Sequence, residues 1–213
     1  METRMYKIPA QADREVLLRV IPGHFATNHS HINYYIDLAM LKTRQKEAQA
    51  AARVLAQYCN YTVVDTIVCV EGCEVIGAYL AEELTNAGIM SMNRHKTIYI
   101  ASPESHTDGQ IIFRDNMQMM IKDKNVLLLL ATATTGKTLE QNLKCIEYYG
   151  GRIQGINAIF SAVNKARSVE VKSIFTQKDV PDYHTYEFHN CPMCKNNQKV
   201  DAIVNTFGYS KIE

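Results

Sequence analysis

The residues with the clearest chemical potential form one short segment of small polar side chains, 134–138. It follows the apolar run 126–130, which predicts a buried parallel strand, and it precedes an amphipathic pattern that predicts a helix. Hydroxyl groups and free backbone N–H groups at the N-terminus of a helix bind anions. The segment therefore predicts a phosphate-binding turn made of Thr134, Thr135, Gly136, Lys137 and Thr138.

A second turn of this kind follows another predicted strand, 65–70, and leads into a predicted helix. Its two carboxylates could face Mg²⁺ or the hydroxyls of a sugar, although the dipole also favours an acid in the first turn of a helix. Its cysteine could be a reactive thiol at a helix N-terminus or an ordinary packed thiol. The turn consists of Glu71, Gly72, Cys73 and Glu74.

A Cys-x-x-Cys pair near the C-terminus has histidines close to it, and these residue types together can bind Zn²⁺. The spacing is tight and a second cysteine pair is missing, so the pattern favours two free thiols or a pair open to oxidation. The residues concerned are His184, His189, Cys191 and Cys194.

A polar segment near the N-terminus carries His24, His29 and His31. These side chains either cover a ligand or belong to a solvated loop. The next residues include Tyr34 and Tyr35, which could stack on a base. Adjacent tyrosines in a strand usually point to opposite faces, so packing of one on each face is the alternative.

Alternating strand and helix patterns position these segments. Strands are predicted at 65–70, 97–100, 126–130, 153–162 and 169–175, and helices at 42–59, from 74 to 87–88, and at 138–149. Residues 102–110 predict an exposed loop, and 200–204 a short helix. The alternation predicts an α/β fold, an open, mostly parallel twisted sheet with helices on both faces. Ligands bind beyond the carboxyl ends of such strands, where both turns lie.

Composition narrows the class of protein. The 213 residues are 46% hydrophobic, enough for one core, so a single domain is expected. A net charge of +1 without a long basic block argues against nucleic acid as a partner. No apolar stretch approaches the ~20 residues that span a bilayer, and the N-terminus lacks a signal pattern. We expect a cytoplasmic protein with buried free thiols at Cys59, Cys69, Cys73 and Cys145.

The segment 131–138 also approaches the phosphate loop of nucleoside-triphosphate hydrolases, G-x-x-x-x-G-K-[ST]. Ala131 stands where the first glycine belongs, and that glycine lets the chain turn tightly around the phosphate. The sequence also has no later apolar strand that ends in an acid suited to Mg²⁺. A degenerate nucleotide-binding loop is therefore one alternative for this segment.

The order of the motifs resembles the type I phosphoribosyltransferase family, and within it orotate phosphoribosyltransferase most. In that family an apolar strand ends in two acids, two further residues and Thr-Thr-Gly-x-Thr, whose last part matches 134–138. The segment from Phe25 to Tyr34-Tyr35-Ile36-Asp37 resembles its N-terminal signature, 70–77 its pyrophosphate loop, and 191–194 a Cys-Pro-x-Cys of some members. Order and spacing hold from about residue 16 to residue 195.

This resemblance implies one phosphoribosyltransferase-like domain, 1–213, in which segments of about 1–41 and 176–213 form a hood and a tail. It implies a phosphorylated small molecule as ligand, either phosphoribosyl pyrophosphate or a nucleotide. It also allows Mg²⁺ as a cofactor and implies a homodimer. Phe25, Tyr34 and Tyr35 would then face the base, and the turn 71–74 would face pyrophosphate.

The sequence departs from the family where charge is needed. The two acids that hold the ribose hydroxyls fall on Leu130 and Ala131. The cationic mobile loop falls on 101–110, which has no lysine or arginine and a single histidine, His106, and a signature lysine falls near Ser30. Losing two hydrogen bonds to charged groups, roughly 1.5–3 kcal/mol each, would weaken binding about 10²- to 10⁴-fold.

Two functions remain open at this point. An active phosphoribosyltransferase would join a nitrogen base, by resemblance orotate, to phosphoribosyl pyrophosphate. Glu71 or Glu74 would then assist the metal or the ribose, with Lys137 and Arg114 as replacement cations. A non-catalytic relative would keep the phosphate site and bind a nucleotide or phosphorylated metabolite as a sensor or partner. The lost charges favour the second function, whereas family resemblance alone favours the first.

Overall fold

Two β-sheets and the helices packed on them position the predicted turns. The computed structural model describes residues 1–86, 92–93, 97–105, 111–134 and 136–212. Within these residues the strands are β1 (Tyr6–Pro9), β2 (Leu17–Ala26), β3 (His31–Asp37), β4 (Thr66–Cys69), β5 (Tyr99–Ala101), β6 (Glu104–Ser105), β7 (Ile111–Ile112), β8 (Asn125–Ala133), β9 (Arg152–Ser161), β10 (Lys165–Ala166), β11 (Val169–Thr176), β12 (Thr185–Tyr186), β13 (Ala202–Asn205) and β14 (Gly208–Lys211). The helices are α1 (Ala39–Thr43), α2 (Gln45–Ala56), α3 (Glu74–Asn86), α4 (Asp115–Gln118), α5 (Lys137–Tyr148) and α6 (Pro192–Lys195).

The central sheet has the strand order β10-β11-β9-β8-β4-β5. All neighbouring pairs in it are parallel except β10 with β11. The chain order reverses between β4 and β8, and such a switch point is where open α/β sheets bind ligands. The predicted fold class, an open and mostly parallel sheet with helices on both faces, is confirmed, and so are the strands expected near 65–70, 97–100, 126–130, 153–162 and 169–175.

Successive side chains of β8 enter two different hydrophobic clusters because a strand alternates its faces. Leu129 and Ala131 pack in the cluster that contains the buried residues of α2 and α3. Leu128 and Leu130 pack in the cluster that contains the buried residues of α5. Leu130 and Ala131, the positions of the family's acids, are therefore each buried, with 3% of their surface exposed.

A second sheet is built from the two ends of the chain, and we call it the hood. Its order is β12-β3-β2-β13-β14, with β1 paired to β2. β13 lies parallel to β2, with Ala202 opposite Phe25. Arg19 on β2 donates two hydrogen bonds to the carboxylate of Glu47 on α2, at 2.9 and 3.1 Å. This ion pair connects the hood to α2, whose buried residues pack against the central sheet.

The helices follow the predicted pattern with one interruption. The helix expected over 42–59 is divided because Arg44 is extended between α1 and α2, with φ −84° and ψ 120°. α3 approaches β4 so closely at Gly77 that an added Cβ would overlap Cys69 Sγ. In the part of the chain that the structure describes, no helix has the length and apolar character needed to cross a membrane.

Two local predictions are wrong. Residues 200–204, predicted as a helix, contain β13, whose side chains alternate between buried and exposed. Asn205 Oδ1 accepts the backbone N–H groups of Phe207 and Gly208 and so stabilises the turn into β14. Within 102–110, predicted as a loop, residues 104–105 form β6, which pairs with β7, and residues 106–110 lie outside the described residues. His106 of that segment lies outside the described residues.

Candidate functional site

A small cavity lies at the switch point, between the ends of β4 and β8 and the start of α5. Its volume is about 60 Å³, which gives room for a few waters or one small polar group. Residues of both predicted turns contribute to it, so the fold brings the two turns together. The lining residues are Glu71, Leu130, Thr132, Ala133, Thr134, Gly136, Thr138, Leu139 and Asn142.

The phosphate turn forms one wall of this cavity through Thr134, Gly136 and Thr138. Gly136 is the N-cap of α5, and its carbonyl oxygen accepts the backbone N–H of Glu140. The first N–H groups of a helix have no partner within the helix, so they are available to an anion. Thr135 and the side chain of Lys137 lie outside the described residues, and their roles stay predictions.

Glu71 reaches from the end of β4 to the end of β8. Its carboxylate accepts the backbone N–H of Thr132 at 2.9 Å. Burial raises the pKa of this carboxyl, while the N–H of Thr132 and the charge of Lys42 oppose the rise. Its backbone has φ 60°, a left-handed conformation that is uncommon outside glycine, and Gly72 follows at φ 77°. Such strain is often found at functional sites.

The other residues of this turn make structural contacts. Lys42 Nζ donates to the carbonyl oxygen of Glu71 at 2.8 Å. Cys73 has no exposed surface, and burial raises the pKa of its thiol well above the usual value, so it is a packed thiol rather than a reactive one. Glu74 begins α3 and accepts a hydrogen bond from Ser102 Oγ at 2.8 Å. Among the described residues of the turn, the cavity is lined by Glu71 alone.

Asn142 is a cavity residue that the motifs do not identify. It is 3% exposed, and within the described part of the chain its Oδ1 has no hydrogen-bond partner. A buried acceptor without a partner costs free energy, so this oxygen marks a place for a donor from a ligand or water. The available signal in the sequence is a polar residue on the apolar face of α5, between Leu139 and Leu143.

The sequence motifs lack the cations that the family uses. The described lining of the cavity does not supply them, because it has no lysine or arginine. Arg114, considered above as a replacement cation, is paired with the carboxylate of Glu104 at 2.6 Å. β8 continues through Ala131 to Ala133, so Ala131 lies inside a strand. A phosphate loop that begins at Ala131 therefore does not fit this fold.

Two of the three residues expected to face the base belong to the core of the hood. Phe25 has no exposed surface, and its ring lies 5.9 Å from that of Tyr35. Tyr35 in turn packs against Tyr209 at 5.5 Å, and burial raises its pKa. These contacts do not fit direct binding of a base by Phe25 or Tyr35. Tyr34 is half-buried, and a base-facing role stays a prediction for it.

The histidines and cysteines are grouped differently from the sequence-based set. The ligand-type side chains that converge on one point are His24, His31, Cys191 and Cys194. His184 and His189, the histidines nearest to the cysteines in sequence, are exposed and lie outside this group. His29 is also exposed, in the loop between β2 and β3. Sequence spacing does not reveal this convergence, because the two pairs lie at opposite ends of the chain.

Several solved structures that are similar to this chain are phosphoribosyltransferases. Leishmania donovani UMP synthase aligns with a TM-score of 0.56 and 16% identity, over 84% of this chain and 36% of that protein. Orotate phosphoribosyltransferase from Mycobacterium tuberculosis H37Rv, solved with inorganic phosphate, has a TM-score of 0.50 and 11% identity, over 83% and 89%. The Aeropyrum pernix orotate phosphoribosyltransferase has a TM-score of 0.50 and 15% identity, over 84% and 90%.

These comparisons define the class of protein at the level of the fold. The chain has the fold of the type I phosphoribosyltransferases. Two of the three structures above are orotate phosphoribosyltransferases, so the resemblance drawn from the motifs is confirmed for the architecture. No protein-family model matches the sequence. Because one fold supports many functions, the function itself must be argued from the cavity.

Proposed function

We propose that the cavity binds the phosphoribosyl group of phosphoribosyl pyrophosphate or of a nucleotide without catalysing its transfer. The observation that carries this proposal is the buried Asn142, which lines the cavity together with Glu71 and whose Oδ1 has no hydrogen-bond partner among the described residues. Both groups accept hydrogen bonds, and the hydroxyls of a ribose donate them. A fully ionised phosphate has no donor to offer either oxygen.

The residues that precede α5 suit the phosphate. Thr134 and Gly136 precede α5, a helix of 12 residues whose dipole and first N–H groups favour an anion. A lining that contains both acceptors and donors matches the hydroxyl and phosphate groups of a sugar phosphate. A volume of about 60 Å³ holds only part of a sugar phosphate, so the rest of the ligand would extend outside the cavity.

The charges of the residues around the cavity support a protein that does not catalyse the transfer. Transfer of the phosphoribosyl group expels pyrophosphate, and enzymes stabilise such developing charge with nearby cations. The described lining has no cation, and Arg114 is already paired with Glu104. Leu130 and Ala131 offer no carboxylate to the ribose. A sensor or partner protein that reports a phosphorylated metabolite is the function that fits these charges.

An active transferase is the second candidate, and Glu71 is the residue that favours it. Its carboxylate lies at the end of β8, beside the strand positions where the resemblance expects the acids. Glu71 would then hold Mg²⁺ or the ribose hydroxyls. Orotate as the base, Mg²⁺ binding and a homodimer remain predictions from the resemblance. Robust turnover of phosphoribosyl pyrophosphate with orotate and Mg²⁺ would establish this candidate and discard the non-catalytic one.

Calorimetric titration with ribose 5-phosphate, inorganic phosphate and ribose tests the binding proposal. We expect ribose 5-phosphate to bind at least about tenfold more tightly than phosphate, because its hydroxyls meet Glu71 and Asn142. Asn142→Leu should remove most of this difference and leave the affinity for phosphate unchanged. Gln141→Leu, on the same helix but outside the cavity, is the matched control. Equal affinity of the wild type for the two phosphates would reject the ribose site.

The phosphate end gives a separate prediction. Lys137→Ala and Thr135→Ala should each weaken binding of inorganic phosphate by about 10-fold or more and leave the thermal unfolding temperature unchanged, because each removes a donor to a charged group. Lys144→Ala removes the same charge from the same helix outside the cavity and should have little effect. Unchanged affinity in both Lys137→Ala and Thr135→Ala would contradict the placement of the phosphate.

A further inference from the structure

We propose that His24, His31, Cys191 and Cys194 form a structural zinc site that fastens the C-terminal segment to the hood. Their ligand atoms all lie within 4.8 Å of one another. Two thiolates and two imidazoles are a donor set that zinc binds in closed, four-coordinate structural sites. None of the four residues lines the cavity at the switch point, so this inference does not depend on the proposed function.

Of four distances between the ligand atoms, two equal the edges of a tetrahedron around one zinc ion and two are about 0.4 Å shorter. Bonds of about 2.3 Å to sulfur and about 2.0–2.1 Å to nitrogen place sulfur and nitrogen ~3.6 Å apart and two nitrogens ~3.3 Å apart. Cys191 Sγ and Cys194 Sγ each lie 3.6 Å from His24 Nε2. His31 Nδ1 lies 3.2 Å from Cys194 Sγ and 2.9 Å from His24 Nε2.

Hydrogen bonds to His24 do not account for the approach of all three of its neighbours in the group. His24 Nδ1 lies 2.8 Å from the carbonyl oxygen of Gln198. A carbonyl only accepts, so Nδ1 carries the proton and Nε2 of the neutral ring keeps its lone pair. That single lone pair faces three groups, His31 Nδ1 and the two sulfurs. It can accept one good hydrogen bond, whereas one central cation can bind all four ligand atoms.

His24 is held in the orientation that a metal ligand needs. Zinc-bound histidines commonly donate from the other ring nitrogen to a carbonyl or carboxylate, as His24 does to Gln198. The backbone N–H of His24 donates to Asp201 Oδ2 at 2.9 Å, and the N–H of Asp201 donates to the His24 carbonyl at 2.7 Å. Cys191 is buried and Cys194 is exposed, so an ion can reach the site from solvent.

The ligands come from two distant parts of the chain. His24 lies on β2 and His31 begins β3, whereas Cys191 is the N-cap of α6 and Cys194 lies within it. Cys191 and His24 are 167 positions apart. A link that closes so long a loop removes many conformations from the unfolded chain and stabilises the folded one. The ion would therefore hold α6, and β13 after it, against the β2–β3 hairpin.

Metal analysis of the full chain, purified without a histidine tag, tests this site. We expect about one zinc per chain in the wild type, and below about a tenth in His31→Ala and in Cys194→Ala. His189→Ala and Cys145→Ala remove the same residue types outside the group and should keep the zinc. Zinc below about a tenth in the wild type would overturn the proposal, as would loss of zinc in His189→Ala with retention in His31→Ala.

Cobalt provides a second measurement that does not rely on the folding of a variant. Protein stripped with a chelator and refilled with Co²⁺ should show the intense visible bands of a tetrahedral site and thiolate-to-cobalt charge transfer. The thermal unfolding temperature should fall by about 10 °C or more on stripping and return with Zn²⁺. Stripped protein that shows neither the cobalt spectrum nor a change in unfolding temperature would also overturn the proposal.

Discussion

Replacing Arg19 with alanine is expected to lower the free energy of unfolding by about 3–5 kcal/mol. Arg19 on β2 and Glu47 on α2 are joined by two hydrogen bonds, and their side chains are only 10% and 14% exposed. Removing the guanidinium leaves a poorly hydrated carboxylate without its main partner. It also removes a connection between the hood and α2. Denaturant unfolding followed by circular dichroism measures the loss.

Arg44→Ala is the matched control for this prediction. Arg44 contacts the same carboxylate at 2.9 Å, but its side chain is 65% exposed. Ion pairs with an exposed partner usually contribute less than about 1 kcal/mol, so this variant should be close to wild type. Equal and small losses in the two variants would show that the buried pair does not hold the hood in place.

The effect of the Arg19→Ala change should also depend on pH. The hydrogen bonds from Arg19 hold the pKa of Glu47 below its usual value, while burial acts in the opposite direction. Since the folded pKa is the lower one, the stabilisation is fully present above the unfolded value of about 4.3 and is lost as pH falls through the folded value. The difference between wild type and Arg19→Ala should therefore narrow below about pH 4.

Leu130→Asp, which restores one acid of the family motif, is expected to destabilise the fold by about 3–5 kcal/mol. Leu130 is 3% exposed and packs in the cluster beside α5. The change removes apolar contacts and places a second carboxyl on the wall that already contains Glu71. Denaturant unfolding measures the cost, and turnover with orotate is expected to stay undetectable in this variant.

Leu130→Asn is the control for the charge, because asparagine has nearly the shape of aspartate but does not ionise. Burial raises the pKa of an introduced aspartate above its unfolded value, so the folded chain holds the extra proton more tightly. The aspartate variant should then become progressively less stable than the asparagine variant as the pH rises from the unfolded pKa to the higher folded pKa. Identical stability of the two variants at every pH would show that the carboxylate reaches water, and the missing acid would then need another explanation.

The position of the turn before α5 and the central sheet could be predicted because both depend on local patterns. The apolar run at 126–130 and the apolar stripe at 138–149 identify β8 and α5 to within a few residues, since burial of apolar side chains determines both. Once these two elements are in place, Thr134 and Gly136 must follow a buried strand and precede a helix.

The remaining features depend on contacts between residues far apart in sequence. Glu71 and Thr132 are 61 positions apart, and nothing in either motif says that the carboxylate binds that N–H. The same holds for the approach of the β2–β3 hairpin to Cys191 and Cys194. The sequence wrongly predicts a helix at 200–204, because so short an apolar pattern does not separate a period of two residues from one of 3.6. In the folded chain its residues pair antiparallel with β14, so the segment is a strand.

Lys42 connects the Glu71 turn beside the cavity to the β13–β14 turn of the hood. Its ammonium group donates to the carbonyl oxygens of Glu71 and Thr206, at 2.8 and 2.7 Å, and Thr206 lies in the turn between β13 and β14. A ligand that displaces the strained Glu71 turn would have to loosen or shift this shared contact. A molecule that binds the β13–β14 hairpin would then change the affinity of the cavity for its ligand. The ligand would change the affinity of the hairpin by the same coupling free energy, because such linkage is reciprocal.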